Sequence, residues 1–355
     1  MENSIDNKII RNSSFELLRL IAMFSIVIYH QFLFLKAQGH EESWILGGYT
    51  ILHFGVPVFL LISGYFGIKL KLSKIVYLYL YCFVWRLLTY LMGCFYFKTA
   101  TIAGGGLLEC FQPFTKSSGQ WFLLPYLVLM LIAPILNKAI EAMTKKEFVK
   151  VLIVFSFIIF YWGLLCQHNI IDKGHSILYF IYMYLLGRYI SIYRIGCSWK
   201  IKKIVWGLLI YTTIILCANF LLPHGILRAF RGLVFSYISP GLIISSAAIL
   251  ILFSKIHLQS KAINYIAVSS LSIYLFHENI FIPLKQKAAL YAYDFDWYVA
   301  IPMIVFSSLL IMALALIIDV VCVRNIVSFV HPLFVRVLNF IKEHFCLVLK
   351  SKIHE

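Results

Sequence analysis

Three ionisable residues, Glu16, Arg19 and His30, stand inside one apolar run, SFELLRLIAMFSIVIYH (14–30). A charge in hydrocarbon costs on the order of 2.5–3.5 kcal/mol on insertion scales, so an ionisable group there is a functional candidate by default. Eleven residues separate Arg19 from His30, about 16.5 Å of rise and about 1,100° of rotation on a helix. That is three turns plus about 20°, so both side chains leave the same stripe. Glu16 lies three residues before Arg19 on that face and can pair with it. An imidazole, with an unperturbed pKa of about 6.5, is present as a neutral base around pH 7, and a guanidinium holds anions. A snorkelling arginine with an interfacial histidine is the plainer alternative, and spacing alone does not separate the two.

Six more ionisable residues fall inside apolar runs: His53, Arg86, Arg188, His277, Glu278 and Asp319. His277 lies fifteen residues beyond Ala262, where its run begins, and His30 lies fifteen beyond Phe15. Equal rise puts both at one depth, where they can face a shared cavity; a histidine bonded to serine or backbone between helices is the alternative. Arg86 stands twelve residues beyond Lys74, near mid-membrane, where an arginine needs a partner or a polar cavity. A ligand-binding role and a structural pair with Glu278 or Asp319 are both open to it.

The elements that position these residues are membrane spans. The chain of 355 residues is 62% hydrophobic and 13% charged, with a mean hydropathy of +0.89. A soluble domain carries about a quarter charged residues, so lipid rather than a single water-soluble core must cover this surface. Runs long enough to cross a hydrocarbon core of about 30 Å fall near 15–35, 48–67, 75–97, 120–137, 149–166, 176–193, 204–222, 233–253, 262–284 and 298–323. The run at 233–253 is the weakest, interrupted by Ser239, Pro240 and Gly241. The first run is not a cleavable signal, since it lacks a small-residue cleavage site and many similar runs follow. From Arg324 a mixed apolar and basic tail reads as an interfacial helix lying on the membrane.

Sorted by loop, 20 of the 31 Lys and Arg residues fall on the side of the N-terminus and 8 on the other. Arg19, Arg86 and Arg188 are inside spans. The positive-inside rule then puts both termini in the cytoplasm, with an even number of spans. Anionic lipid accounts for much of the formal charge of +16, so nucleic acid is not invoked as a partner. The eight cysteines form no CxxC pair and no Cys/His cluster with zinc spacing, and they read as packed small residues rather than metal ligands. Aromatic stretches such as YLYLYCFVW (77–85) read as packing and lipid-interface residues. The expected class is all-α: a polytopic helical membrane protein of about ten transmembrane helices over 1–323, with a basic amphipathic cytoplasmic tail over 324–355.

Four stretches in chain order carry a resemblance to the integral-membrane acyltransferase family 3. The family's hallmark is an Arg and a His with ten residues between them in the first helix, and an acidic residue three before the Arg; Glu16, Arg19 and His30 match it. HFGVPVFLLISGYF (53–66) resembles the second-helix stretch that ends in Ser-Gly-Tyr/Phe. GQWFLLPYL (119–127) resembles the Trp-Phe-Leu segment that opens the fourth helix, and SLSIYLFHENI (270–280) the late Ser…Tyr-Leu-His segment. Gln120 stands where the family often has His. Lys71, Lys74 and a deeper Arg86 replace the Arg residues and Pro found in many members near the third helix.

The resemblance implies a bacterial cytoplasmic-membrane enzyme with acyl-coenzyme A, acetyl-CoA expected, bound from the cytoplasm as donor substrate and no permanently bound cofactor. The implied acceptor is a cell-surface or lipid-linked saccharide, modified toward the outside. His30 is then the general base, and Arg19, held by Glu16, contacts the phosphate or thioester region of the donor. Arg86, Ser63, Tyr65 and Trp121 are expected as donor-binding or supporting residues, with His277 as a second site histidine. The glycine-rich stretch IAGGGLLECF (102–111) is a flexible external segment that could contact the acceptor. A transporter or flippase of a glycan or other polar solute also buries charges in many helices, but no inverted repeat is evident. A polysaccharide polymerase relies on large basic external loops, which 8 charges do not supply.

Overall fold

In lipid a backbone N–H or C=O finds no water, so each apolar run closes its hydrogen bonds within itself as a helix. The computed structural model describes residues 12–95, 106–114, 120–221, 236–277 and 282–353, with the backbone alone at 219–221, 282–284 and 342–353. Glu278, Lys98, Lys116, Arg228, Arg231 and residues 102–105 of the glycine-rich stretch lie outside the described residues.

Helix α1 (Ser13–Ala37) is followed by α2 (Ser43–Ile51) and α3 (Gly55–Phe66), which are joined by a 3-10 turn at Leu52–Phe54. Then come α4 (Leu72–Phe95), the short α5 (Gly106–Cys110) and α6 (Leu123–Ala142). Helix α7 (Lys145–Phe157) runs on into a π-helical stretch, Ile158–Leu165. Helices α8 (Ile177–Ile192), α9 (Ile201–Leu221), α10 (Pro240–Ser254), α11 (Lys261–Ala267), α12 (Ser270–His277) and α13 (Ile282–Tyr293) complete the bundle with α14 (Trp297–Ile318). A π turn at Asp319–Val323 leads into α15 (Arg324–Ile353).

Among the described residues, seven stretches are long and apolar enough to cross a membrane: α1, α2 with α3, α4, α6, α7 with its π extension, α9, and α14 continued into α15. Helices α8 and α10 are shorter apolar helices. On the surfaces of these spans Ile135, Trp206, Ile244, Phe306 and Val321 are 64–70% exposed. So much apolar surface is costly in water and costs nothing against lipid tails.

One expectation needs correction. The run at 262–284 is not one unbroken helix: it is interrupted at Val268–Ser269, between α11 and α12, and its last residues belong to α13. At the C-terminal end the π turn carries α14 into α15 without a break. Along α15, His331 Nε2 lies 2.9 Å from the Ser73 carbonyl and 3.2 Å from its hydroxyl, which ties this helix to the start of α4.

The connecting segments gather at two ends of the bundle. At one end the Ser13 amide donates to the Leu258 carbonyl, Lys255 Nζ to the Cys197 carbonyl, and Asn137 to the Ile68 carbonyl. At the other end the Tyr293 hydroxyl donates to Glu42, and the Trp121 and His175 rings meet at 4.2 Å. The first group belongs to loops that the charge pattern assigns to one side, the second to loops assigned to the other, so the spans alternate in direction.

The Ser-Gly-Tyr triplet of α3 divides its work by rotation. Gly64 and Gly187 meet where α3 crosses α8: a Cβ at Gly64 would stand 2.2 Å from the Tyr184 carbonyl, and one at Gly187 would stand 2.4 Å from the Leu61 carbonyl. Only glycine allows the two backbones so close, the packing that membrane helices use in place of a hydrophobic drive. Ser63, 100° away, faces the bundle interior, and Tyr65 packs its ring on Phe15 at 4.9 Å.

The break in 261–277 is held by a buried carboxylate. Asp319, fully buried at the π turn, accepts from the hydroxyls of Tyr81, Ser272 (2.8 Å) and Ser269 (2.6 Å) and pairs with Arg324 at 3.0 Å. The indole N–H of Trp85 also reaches Ser272, at 2.7 Å. Helix α12, which ends on His277, is therefore fixed to α4 and α14 by one fully bonded acidic residue.

Candidate active site between two cavities

Helix α1 lines two cavities, one toward each end of the bundle. The inner one, about 230 Å³, lies toward the N-terminus of α1 and is lined by Arg19, Met23, Ile26, Ser63, Phe122 and Tyr274 among others. The outer one, about 490 Å³, lies toward the other end and is lined by His30, Trp121, His175 and Tyr237, with Lys36, Glu41 and Lys173 also on its wall. The 3.6-residue period puts Arg19 and His30 on one stripe, and each opens on a different cavity.

In the inner cavity Arg19 Nη1 holds both oxygens of Glu16 at 2.9 Å, the (i, i+3) pair that the spacing allows. The Glu16 side chain is nearly fully buried, whereas that of Arg19 keeps 29% of its surface exposed. The carboxylate is thus a support and the guanidinium the accessible partner. Ser63 donates to the Phe59 carbonyl at 3.0 Å and shares a 3.2 Å bond with the Tyr126 hydroxyl.

At the floor of the outer cavity His30 Nδ1 lies 3.0 Å from His277 Nε2, and the rings stack at 5.0 Å. Equal rise brings the two histidines level, and of the two readings open for His277 the structure shows the one bonded to backbone, its Nδ1 lying 3.0 Å from the Ile273 carbonyl. His30 lines the cavity, whereas His277 is 1% exposed and sits behind His30. The residue after His30 anchors this part of α1: Gln31 Nε2 donates to Ser308 Oγ at 2.6 Å and to the Ile304 carbonyl at 3.3 Å. The His277 carbonyl accepts from Lys285 Nζ at 3.1 Å, which makes this lysine a buried group rather than a loop charge.

Trp121 and Phe122 straddle the two cavities, the first lining the outer one and the second the inner one. Tyr274 lines the inner cavity and meets His277 edge-on at 5.6 Å, and its hydroxyl accepts from the Phe122 amide at 3.4 Å. Gln120, where the family often has His, is buried and donates to the Leu275 carbonyl at 3.4 Å, bracing α12.

Two expected residues stand elsewhere. Tyr65 lines neither cavity. Arg86 lines neither and pairs with no Asp319; its Nη1 donates to the Gln112 carbonyl at 2.9 Å, while Asp319 is taken by Arg324. The spacing of the span could not distinguish a mid-helix arginine aimed at the bundle axis from one aimed at a neighbouring loop.

The outer cavity has an aromatic wall of which the sequence singles out only His53. Tyr29 stacks on Tyr49 (5.0 Å) and on His53 (4.8 Å), His53 meets Tyr237 edge-on at 4.1 Å, and Tyr237 meets His175 at 5.5 Å. The opposite wall is the π-helical end of α7 and the loop after it, which supplies Gly163, Gln167 and Lys173. In that loop Gln167, Asp172 and Lys173 all have left-handed backbones, at φ 49, 42 and 51. Each non-glycine residue held so costs on the order of 1 kcal/mol or more, and such residues cluster where a site over-determines the backbone. Gly174, at φ 99, lets Tyr237 approach, since a Cβ there would stand 2.6 Å from that of Tyr237.

A bundle of apolar helices with a cavity toward each end, and an imidazole pair at the floor of one of them, defines a multi-pass membrane protein. Residues 12–320 match the family model of acyltransferase family 3, described as an acyltransferase domain, and the chain belongs to that family. It is a membrane acyltransferase. No curated protein and no solved structure matched the chain.

Proposed function

We propose that the protein transfers an acyl group, acetyl in the simplest case, from acyl-coenzyme A to a hydroxyl of a cell-surface or lipid-linked saccharide, with His30 as general base. One observation carries this reading: a single helix presents an arginine to one cavity and, three turns on, a histidine to the other. The donor enters the inner cavity, where the Arg19 guanidinium meets its phosphate groups and the hydroxyls of Ser63, Tyr126, Ser270 and Tyr274 also stand on the lining. The acceptor enters the outer cavity, whose aromatic wall suits the apolar faces of a sugar ring.

In the transfer the acceptor O–H proton passes to His30 while the oxygen forms a bond to the thioester carbon. The C–S bond breaks, and the departing thiolate takes the proton from His30, so the enzyme ends as it began. Water is kept from the thioester because the inner cavity is mostly apolar. Lipid-facing helices and the excess of basic residues on one side support a multi-pass protein of a bacterial cytoplasmic membrane, its donor site facing the cytoplasm.

The test is mass spectrometry of cell-surface glycan with and without the gene, and with a His30→Ala variant. A mass difference of one acyl group that disappears in the variant is expected, with a loss of transfer of about 10²-fold or more at equal membrane expression. Glycan of unchanged mass in all three strains would sink the saccharide acceptor, and near-normal acylation by the variant would sink the base.

A further inference from the structure

The direction of the hydrogen bond between the two histidines is set by an atom that has no choice. His277 Nδ1 lies 3.0 Å from the Ile273 carbonyl oxygen, one turn earlier on α12. A carbonyl oxygen only accepts, so Nδ1 of His277 carries a proton. In a neutral imidazole the other nitrogen then holds the lone pair, and His277 Nε2 is an acceptor. The atom facing it at 3.0 Å is His30 Nδ1, which must donate. With its proton on Nδ1, His30 has its lone pair on Nε2.

We propose that His277 is a positioning residue that holds His30 as the Nδ1–H tautomer and so makes Nε2 the proton-accepting atom. Its catalytic meaning rests on the acyl-transfer reading, whereas the tautomer itself does not. Burial gives the chain its direction. The Ile273 carbonyl and His277, 1% exposed, form the fixed inner end, and His30 forms the end that meets the cavity. Helix α12 cannot rotate this acceptor away, because Ser272 is tied to Asp319 and the His277 carbonyl to Lys285.

The proposal gives each proton a place. The acceptor hydroxyl gives its proton to His30 Nε2. The resulting imidazolium keeps Nδ1–H on His277 Nε2, which spreads the charge toward the second ring. When the thioester C–S bond breaks, the Nε2 proton goes to the thiolate sulfur. A His30 with its proton on Nε2 would point a donor at the hydroxyl it has to deprotonate, and the reaction could not start.

The experiment has two arms. In the first, nitrogen-15 NMR of histidine-labelled protein in detergent at about pH 8, where unperturbed imidazoles are neutral, reads each ring nitrogen directly, with His30→Ala and His277→Gln spectra assigning the pair. A pyrrole-type Nδ1 and a pyridine-type Nε2 on His30 are expected. The reverse tautomer or a doubly protonated His30 would overturn the proposal.

The second arm follows acetyl from acetyl-CoA into glycan extracted from cells lacking the gene. His277→Phe keeps the ring volume and loses both hydrogen bonds. His277→Gln keeps an amide that can donate to Ile273 and accept from His30. His277→Phe should lower kcat about 10²-fold with the KM for acetyl-CoA unchanged, and His277→Gln should recover at least about tenfold of that loss. Equal loss in both variants, or none in His277→Phe, would refute the positioning role. A wild-type protein with no transfer at all would refute the acyltransfer reading and leave the tautomer to the spectrum.

Discussion

Arg19 uses one nitrogen to hold both oxygens of Glu16, which leaves the rest of its planar fork for an anionic ligand. Arg19→Ala should therefore raise the KM for acetyl-CoA by about tenfold or more, and Arg19→Lys should not restore it, because an ammonium does not reproduce the fork. An unchanged donor dependence in steady-state kinetics would remove Arg19 from the donor site. The first helix made this much legible: its period fixes which side chains share a stripe, and Glu16, Arg19 and His30 fall where that period puts them. The partner of His30 was legible only in depth, because sequence spacing carries rise but not the rotation of one helix against another. His175 gave no signal at all, since a loop with left-handed residues brings it to Trp121 and no periodicity governs a loop.

At the scale of elements, the α11–α12 break, the π turn and α4 meet on Asp319. Removing one partner of a buried ion pair leaves the other uncompensated, at a cost of roughly 3–5 kcal/mol. Asp319→Ala should lower the thermal midpoint in detergent and reduce transfer through a displaced His277, while Asp319→Asn should do less of both. A midpoint and a rate equal to those of the unmodified protein would show that the cluster does not hold α12. Most of the spans could be marked from apolar runs, yet neither the break at Val268–Ser269 nor the π turns could be. An apolar run has the composition of a helix whether or not its ladder is interrupted, and the interruption is decided by Ser269 and Ser272 together with Asp319, which is 50 residues from Ser269 in the chain.

Across the whole molecule, the two groups of loops separate Cys166, at the end of the larger cavity, from Cys197, in the loop that accepts from Lys255; both are exposed. With the donor site facing the cytoplasm, a membrane-impermeant maleimide added to intact cells should label a single-cysteine variant that retains Cys166. One that retains Cys197 should be labelled only after the membrane is opened. The opposite pattern would invert the protein and with it the assignment of donor and acceptor cavities. The charge bias made the alternation of the spans legible, because anionic lipid and insertion act on loops one at a time.

The rings of Phe122 and Tyr274, which line the inner cavity, have a consequence that does not depend on acyl transfer. A cell that stores energy as a proton gradient cannot tolerate a continuous file of water through any protein in that membrane. A file of water running from one cavity to the other past a pair of imidazoles would be such a leak, since histidines hand protons on readily. The Phe122 and Tyr274 rings, 5.9 Å apart, line the inner cavity, and Trp121, next to Phe122 in the chain, lines the outer one. Phe122→Ala should thus make proteoliposomes containing the protein dissipate an imposed pH difference faster, by a dye readout that needs neither substrate. Vesicles as tight as those with the unaltered chain would mean that the insulation lies elsewhere. On this view the closeness of the two cavities, lined by the neighbouring residues Trp121 and Phe122, is a compromise, near enough for a thioester to reach from one to the other and closed enough to keep the membrane charged.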